Sequence, residues 1–415
     1  MTDATDARLA AQYAAYPYPR RDPRDETKRL IVGSPGHLRE IDYWVFGARR
    51  PASRPLRALI AGGGTGDATI MLAQQMAREG RAGSVTWLDR SATALKIAQA
   101  RAAARGLDNI VWEQRSLLEL PGSGLGPFDY IDCCGVLHHL PDPAEGLRSL
   151  LSVLAPQGGL GLMMYAPHGR TGVYMLQDAL RLLAPTNEAP AARLDVAKRV
   201  MRHLPETAWL RRNGFLDDHV NGGDAGLYDL LLNPRDRAFT ARELHALLAG
   251  EGLAVTCWVE PARYDPIPLL PDPRLRARVE ALDPIDRVAL AEALAGNVSA
   301  HIVYCVRRDE QVPRADFMAA DAVPVLRELS GPEIAGGIQP DGTIAFVLDG
   351  LRLPIALPPL APAILRLIDG RRSVGAIAAS LAEHGTGEAA FQRAWHSTFT
   401  ALERINRLLL AAPAA

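Results

Sequence analysis

Leu56-Arg57-Ala58-Leu59-Ile60-Ala61-Gly62-Gly63-Gly64-Thr65-Gly66-Asp67 opens the stretch whose reading decides the fold; it continues through an apolar-periodic segment, Ala68 to Met76, and closes on Ser84-Val85-Thr86-Trp87-Leu88-Asp89. The run from Leu56 to Ala61, stopped by glycines, suits a strand buried on both faces. Ile70, Leu72, Ala73 and Met76 recur at helical spacing, and Val85 to Leu88 is a second buried run that ends in an acid. Strand, glycine loop, helix, strand and acid follow one another, an order that suits nucleotide binding. Gly62, Gly64 and Gly66 let the backbone turn tightly and bring its N–H and C=O groups up to a ligand. Asp89, roughly 20 residues on, is placed to accept from both ribose hydroxyls. A dinucleotide site wants G-x-G-x-x-G, whereas this loop reads G-x-G-x-G and sets Asp67 at the third glycine's place. A carboxylate there repels a pyrophosphate and suits a cationic ligand.

Working outward, a helix is expected from Ser91 to Arg105 and a third strand from Asn109 to Glu113. Phe128-Asp129-Tyr130-Ile131-Asp132-Cys133-Cys134-Gly135-Val136-Leu137-His138-His139-Leu140-Pro141-Asp142-Pro143 then gives a fourth strand ending at Gly135, with Asp142 able to start the next helix. Pro156-Gln157-Gly158-Gly159 breaks that helix, and Leu160 to Tyr165 reads as a fifth strand. The neighbouring His138 and His139 invite a metal, a general base or a loop-shaping hydrogen bond; without H-x-x-x-H or a carboxylate pair nearby, a metal lacks further ligands.

The glycine loop resembles the first motif of the Rossmann-like (class I) S-adenosylmethionine (SAM)-dependent methyltransferases. The pattern F-D-x-I, four residues, V-L-H-H-L-x-D-P and then L-x-P-x-G-G-x-L resembles that superfamily's fourth and following motifs. The likeness covers Leu56 to Tyr165 and implies SAM as cofactor, which carries a sulfonium and an ammonium and no phosphate. It implies that Gly62, Gly64 and Gly66 shape the methionine and ribose bed, that Asp67 favours the ammonium or sulfonium, and that Asp89 binds the ribose. Ser116 and Leu117 would read adenine, with Ser116 standing where the family often has an Asp. Gly135 and His138 would border the methyl, and His138, His139 and Tyr18 are the candidates for a catalytic role.

Before the loop, Leu9 to Tyr13 could form a short helix, and Tyr16-Pro17-Tyr18-Pro19 is forced to be extended by its prolines. Ser34 is a candidate N-cap of a helix through Tyr43, Trp44 and Phe46. Residues 1–50 therefore read as a lid arm ahead of a methyltransferase domain at 51–308. A minimal domain of this class would pass directly to its final hairpin, but here a helical insertion, about 168–236, intervenes. Its helices are expected around Val173 to Leu183 and Leu194 to Leu204. Thr240 and Glu243 form a capping box, Leu253 to Val259 and Ser299 to Val306 are the last strands, and Pro273 to Ala295 is helical. Tyr16, His168, Arg170, Tyr174 and Tyr228 are the expected substrate-binding residues, with His219 and Asp229 as further pocket candidates.

Residues 309–330, with prolines, charges and little periodicity, read as a linker to a C-terminal unit at 331–415. There Asp349-Gly350 sits between two strand-like runs, followed by helices near Ala361 to Ile368, Val374 to Glu383 and Phe391 to Leu410. The segment from Ile364 to Ala378 resembles the helix-turn-helix of small winged-helix modules. The expected fold is thus α/β, a seven-stranded Rossmann-like sheet with a helical insertion, plus a small α+β winged-helix-like domain. Val374 to Glu383 lacks Lys and Arg, which argues against DNA binding and for peptide docking or a homodimer contact.

Composition bounds the rest. Over 415 residues the net charge is -1, so no global field draws the chain to nucleic acid or an anionic membrane. No apolar run reaches the ~20 residues that span a bilayer, and Met1 to Ala15 lacks a signal pattern, so a cytoplasmic protein is expected. Cys133, Cys134, Cys257 and Cys305 lie in apolar runs without C-x-x-C spacing and read as buried thiols, with no metal expected. Two functions follow. One is SAM-dependent methylation of a protein or peptide side chain or of a small molecule; the other is a non-catalytic SAM-binding sensor acting through the C-terminal unit.

Overall fold

A computed structural model of the chain describes residues 4–413. Helices α1 (Ala4–Ala15) and α2 (Leu38–Glu40) precede a sheet made of β1 (Leu56–Ala61), β2 (Gly83–Asp89), β3 (Ile110–Gln114), β4 (Phe128–Cys134), β5 (Leu154–Tyr165), β6 (Leu253–Trp258) and β7 (Ala300–Arg307). Its order is β3-β2-β1-β4-β5-β7-β6. β7 runs antiparallel to both neighbours and the other pairs are parallel. The chain leaves β1 toward β2 on one side and returns to β4 on the other, so a crevice opens at the carboxyl ends of β1 and β4, where open α/β sheets bind ligands. Crossovers α3 (Asp67–Arg78), α4 (Ala92–Ala104) and α5 (Pro143–Leu151) cover the faces. β5 begins earlier than the sequence suggested: Pro156-Gln157-Gly158 is absorbed as an irregularity in the ladder, where Phe128 pairs with Leu154 and Tyr130 with Gly159.

The insertion folds as α6 (Val173–Leu183), α7 (Pro190–Arg202), α8 (Trp209–Arg212), α9 (Asp218–Asn221) and α10 (Gly223–Leu232). Its apolar residues, among them Leu180, Leu194, Leu210 and Leu231, form a cluster of their own, against which Tyr16 of the arm packs. α11 (Ala241–Gly250) starts at the Thr240/Glu243 capping box. The expected helix at 273–295 is two, α12 (Pro273–Glu280) and α13 (Pro284–Ala295), because Pro284 cannot continue the first but suits the start of the second.

The C-terminal unit consists of β8 (Pro324–Leu326), α14 (Gly331–Gly336), a hairpin of β9 (Thr343–Leu348) and β10 (Leu351–Ala356), α15 (Ala361–Leu367), α16 (Val374–Ala382), α17 (Glu388–Glu403) and β11 (Leu408–Leu410). The helix expected to reach Leu410 stops at Glu403: Asn406 takes a left-handed φ of 57° and the apolar triplet after it pairs with β8. The stretch read as a linker, 309–330, therefore carries a strand. Phe317 within it stacks on Phe399, ring centroids 4.5 Å apart, and its carbonyl accepts from the Trp395 indole.

A single apolar cluster runs from Leu56, Ala58, Ile60 and Tyr130 of the sheet, through Leu38 to Phe46, into Ile364, Trp395 and Leu409 of the C-terminal unit. Within it sits Glu40, fully buried, whose carboxylate accepts from Ser34 Oγ at 2.7 Å, Tyr304 Oη at 2.6 Å and Asn406 Nδ2 at 2.7 Å and pairs with the Arg327 guanidinium. Ser34, expected as an N-cap, instead serves Glu40, and the cap falls to His37, whose Nδ1 accepts from Arg39 N–H. A buried carboxylate is tolerated only when every lone pair is met; here the donors come from the arm, the sheet and the C-terminal unit, so the three are held as one body. Among the described residues no helix is long and apolar enough to cross a membrane.

Removing the carboxylate should leave Tyr304 Oη and Asn406 Nδ2 without their acceptor and Arg327 with only the half-exposed Glu328 as counter-charge. Glu40→Leu is expected to cost ~3–5 kcal/mol in urea unfolding, while Glu40→Leu with Arg327→Met should cost clearly less because no uncompensated charge remains. Equal losses in the two variants would contradict this account of the cluster.

Candidate active site

Three short segments meet at the crevice. The first is the glycine loop. Gly62 and Gly63 N–H donate to the Leu88 carbonyl at 2.7 and 3.0 Å, which ties the loop to β2. Gly62 has φ 83°, and a Cβ there would stand 2.2 Å from Val136 Cγ2; one on Gly63 would meet the Trp87 indole at 2.2 Å. The Trp87 indole N–H in turn donates to Gly64 O at 3.1 Å. The loop is therefore wedged between Trp87 and Val136 with its backbone turned to the crevice.

The second segment is the tip of β2. Asp89 Oδ2 accepts from Gly64 N–H at 2.9 Å and Oδ1 from Ser91 N–H at 2.8 Å. Two backbone donors fix the carboxylate, and each oxygen retains a lone pair for a diol. Burial pushes its pKa up, against the pull of those N–H groups. Beyond β3, Ser116 caps a 3-10 turn, its Oγ accepting from Leu118 N–H at 3.2 Å and its N–H donating to Glu119. Its hydroxyl hydrogen remains a donor, and Leu117 beside it is buried.

The third segment is the end of β4. Gly135, with φ 74°, turns the chain into the 3-10 turn Leu137–His139. His138 is fully buried and neither ring nitrogen has a protein partner. Burial holds its pKa well below the ordinary histidine value, with His139 and Arg170 adding to the effect, so it is a neutral imidazole. Its ring lies 4.1 Å from that of Tyr165 at the end of β5. His139 is engaged elsewhere, its Nδ1 2.6 Å from the Arg235 carbonyl.

The arm lies across these segments. Thr65 Oγ1 donates to Pro19 O at 2.8 Å, and Tyr18 O is 3.5 Å from where a Gly64 Cβ would be. Tyr18 Oη donates to Asp218 of the insertion at 3.1 Å. Asp67, expected to attract a cationic ligand, is instead paired with two guanidiniums: Arg21 Nη2 at 2.5 Å and Arg101 Nη1 at 2.7 Å. Those cations hold its pKa below the usual carboxylate range despite burial. Its charge serves to fasten the arm to the loop, and the basic partners, Arg21 just past the Tyr-Pro repeat and Arg101 inside α4, carried no sequence signal for that pairing.

The substrate candidates separate into two groups. Arg170 is brought to the crevice: it is buried, pairs with Asp236 at 2.8 Å, meets Tyr174 Oη at 3.1 Å and lies 3.7 Å over the Tyr165 ring. Tyr16 and Tyr228 stack on each other, centroids 5.2 Å apart, inside the insertion's own core, where Arg193 donates to Tyr228 Oη. His168 is exposed. Asp229, a pocket candidate, is buried and accepts from Tyr13 and Tyr165; Tyr13, Tyr165 and Asp218 are what the sequence left without a role, although Tyr165, last residue of an apolar strand, stands where a cleft residue is expected.

The crevice fits the ligand that the sequence pattern implied: a bare glycine backbone whose side-chain space Val136 and Trp87 already occupy, a diol-ready carboxylate at its rim and an unpartnered buried imidazole at its far end. Comparisons with known proteins agree. A methyltransferase-domain family profile matches residues 59–160. An uncharacterized protein of Synechococcus sp. is 30% identical over 339 residues, 79% of this chain and 78% of its own length. A ubiquinone biosynthesis O-methyltransferase of Caulobacter sp. is 35% identical over 156 residues, 36% of this chain and 58% of its own length. The structure of PKMT2 from Rickettsia typhi in complex with AdoHcy superposes with a TM-score of 0.63 over 91% of this chain and 75% of that one, at 16% identity, a likeness of fold. The strand order, the cradle and the matched domain together place the chain among the Rossmann-like, class I SAM-dependent methyltransferases.

Proposed function

We infer that this methyltransferase acts on a slender nucleophile, a protein or peptide side chain or a small molecule, that enters beside His138 and Tyr165. The observation that carries the reading is the enclosure of that end of the crevice: the arm spans it from Thr65 to Asp218, and Arg170 and Tyr165 close the side beneath the insertion. A broad groove for a folded surface would leave these groups open. The 35% identical Caulobacter relative is named an O-methyltransferase of ubiquinone biosynthesis, which supports a small-molecule acceptor.

SAM bound in the cradle supplies a methyl group on a positively charged sulfur, open to in-line displacement. Gly62, Gly64 and Gly66 would accommodate it by their bare backbone, Asp89 by its two oriented oxygens, and Ser116 and Leu117 by the hydroxyl and backbone beyond β3. Gly135 and His138 would border the transferred group. Asp67 acts at one remove, by pinning Arg21 and so the arm. Alignment and exclusion of water lower such a barrier by several kcal/mol without a covalent intermediate. Tyr18 stays a protonated phenol, since burial and the nearby Asp218 raise its pKa strongly, and it serves as a hydrogen-bonding wall. His138, neutral and with both nitrogens free of protein partners, offers one donor and one acceptor to the reacting groups rather than a strong base.

Calorimetry with SAM and with S-adenosylhomocysteine should show binding by the wild-type chain, weakened at least about tenfold in Asp89→Ala and in Gly62→Ala. Transfer of tritium from methyl-labelled SAM into a clarified lysate should follow; binding without label would contradict catalysis. Arg21→Ala should release the arm, seen as faster tryptic cleavage after Arg20 and Arg24 with the fold's melting transition retained. An unchanged cleavage rate would show that the Asp67 pairing does not hold the arm.

A further inference from the structure

Asp229, on α10 of the insertion, is buried and accepts four hydrogen bonds. Oδ1 takes Tyr13 Oη at 3.0 Å, Gln12 Nε2 at 3.3 Å and Asn233 Nδ2 at 3.3 Å, and Oδ2 takes Tyr165 Oη at 3.3 Å. The donors come from the arm, from α10's own end and from the carboxyl end of β5, so one carboxylate joins the three elements that surround the methyl-transfer end of the crevice. Its acceptor sites are largely occupied, which leaves little of it for a substrate. The two phenols are a different matter. Each spends its hydrogen on Asp229, so each oxygen keeps a lone pair that can only accept. Tyr165 is further fixed from both faces, by the unpartnered imidazole of His138 at 4.1 Å and by the Arg170 guanidinium at 3.7 Å.

We propose that Asp229 is a positioning residue for methyl transfer: by taking the hydroxyl hydrogens of Tyr13 and Tyr165 it orients both phenol oxygens as acceptors for a methyl-accepting group that itself bears hydrogen. The acceptor class is thereby an N–H or O–H nucleophile, not a carboxylate or a thioether. This rests on the methyltransferase reading above and adds to it a residue that acts through two others. Tyr13 and Tyr165 stay protonated in this arrangement, because burial and the adjacent carboxylate both disfavour the phenolate.

The test uses the full chain, tritiated SAM with a clarified bacterial lysate as the acceptor source, and S-adenosylhomocysteine for calorimetry. Asp229→Asn, Tyr165→Phe and Tyr13→Phe are compared with the double variant Asp229→Asn/Tyr165→Phe. Expected is a loss of labelling rate of about ten- to a hundredfold in Asp229→Asn, with S-adenosylhomocysteine affinity within about threefold of wild type and the melting transition retained. The double variant should be no slower than the worse single variant by more than about twofold, since residues acting as one unit are not additive. If Asp229→Asn fails to fold, the two Tyr→Phe variants, each lacking only a hydroxyl, carry the test by the same comparison with their own double. Wild-type rate in Asp229→Asn, or losses that multiply in the double variants, would overturn the proposal. A wild-type chain that binds S-adenosylhomocysteine but labels nothing would instead defeat the methyltransferase reading beneath it.

Discussion

The turn from β1 into α3 is the constraint on which the rest depends. Gly62 and Gly63 have no room for a side chain because Val136 and Trp87 already occupy the space. The loop is thus clamped between the ends of β4 and β2, the two strands that flank β1. That clamp sets the Gly64 amide against Asp89, and so the carboxylate at the tip of β2 and the glycine loop are fixed by the same few contacts. Strand order puts the crevice there, and the close approach of Trp87 and Val136 gives it its shape.

Electrostatics then determine how the crevice is covered. Asp67 and Glu26 together meet Arg21, Arg101 and Arg105, a compact cluster in which Arg101 is almost wholly buried and also donates to Thr65 O. The acid beside the glycine loop is thereby paired by the protein's own cations, and through Arg21 it ties the arm to the loop. Beside β5 a buried acid, Asp229, gathers the arm, β5 and the insertion. A third, Glu40, joins the arm to the sheet and the C-terminal unit. In each case a carboxylate removed from water must find several donors, and it finds them on different segments of the chain.

The C-terminal unit is part of this arrangement. Its hairpin end is held by Asn297, whose Nδ2 donates to the Leu348 and Asp349 carbonyls, and by Arg263, which pairs with Asp349 at 2.8 Å. Arg404 pairs with Asp265, and Tyr43 with Glu403. With these contacts and the shared apolar core, the unit packs against the arm's helical segment.

The sequence by itself determined the sheet and its crevice. Apolar runs of strand length, glycines that stop them and an acid at the end of β2 are local features, and local features survive in a one-dimensional reading. Leu56–Ala61, the glycine loop, Asp89 and the turn at Gly135 stand where that reading set them, and Val173–Leu183 has the bounds its periodicity predicts. Only the tertiary structure decided which charged and aromatic side chains meet. Asp67 and Arg101, or Asp229 and Tyr13, are brought together from 34 and 216 residues apart, and no spacing rule links them. The same holds for Tyr16 and Tyr228, which the sequence offered to a substrate and the fold stacks on each other, and for Leu408–Leu410, which continues a helical pattern but finds β8 as its partner. Hydrophobic periodicity specifies the element; the partner of a buried polar group is specified by the packing of elements, which requires the whole fold.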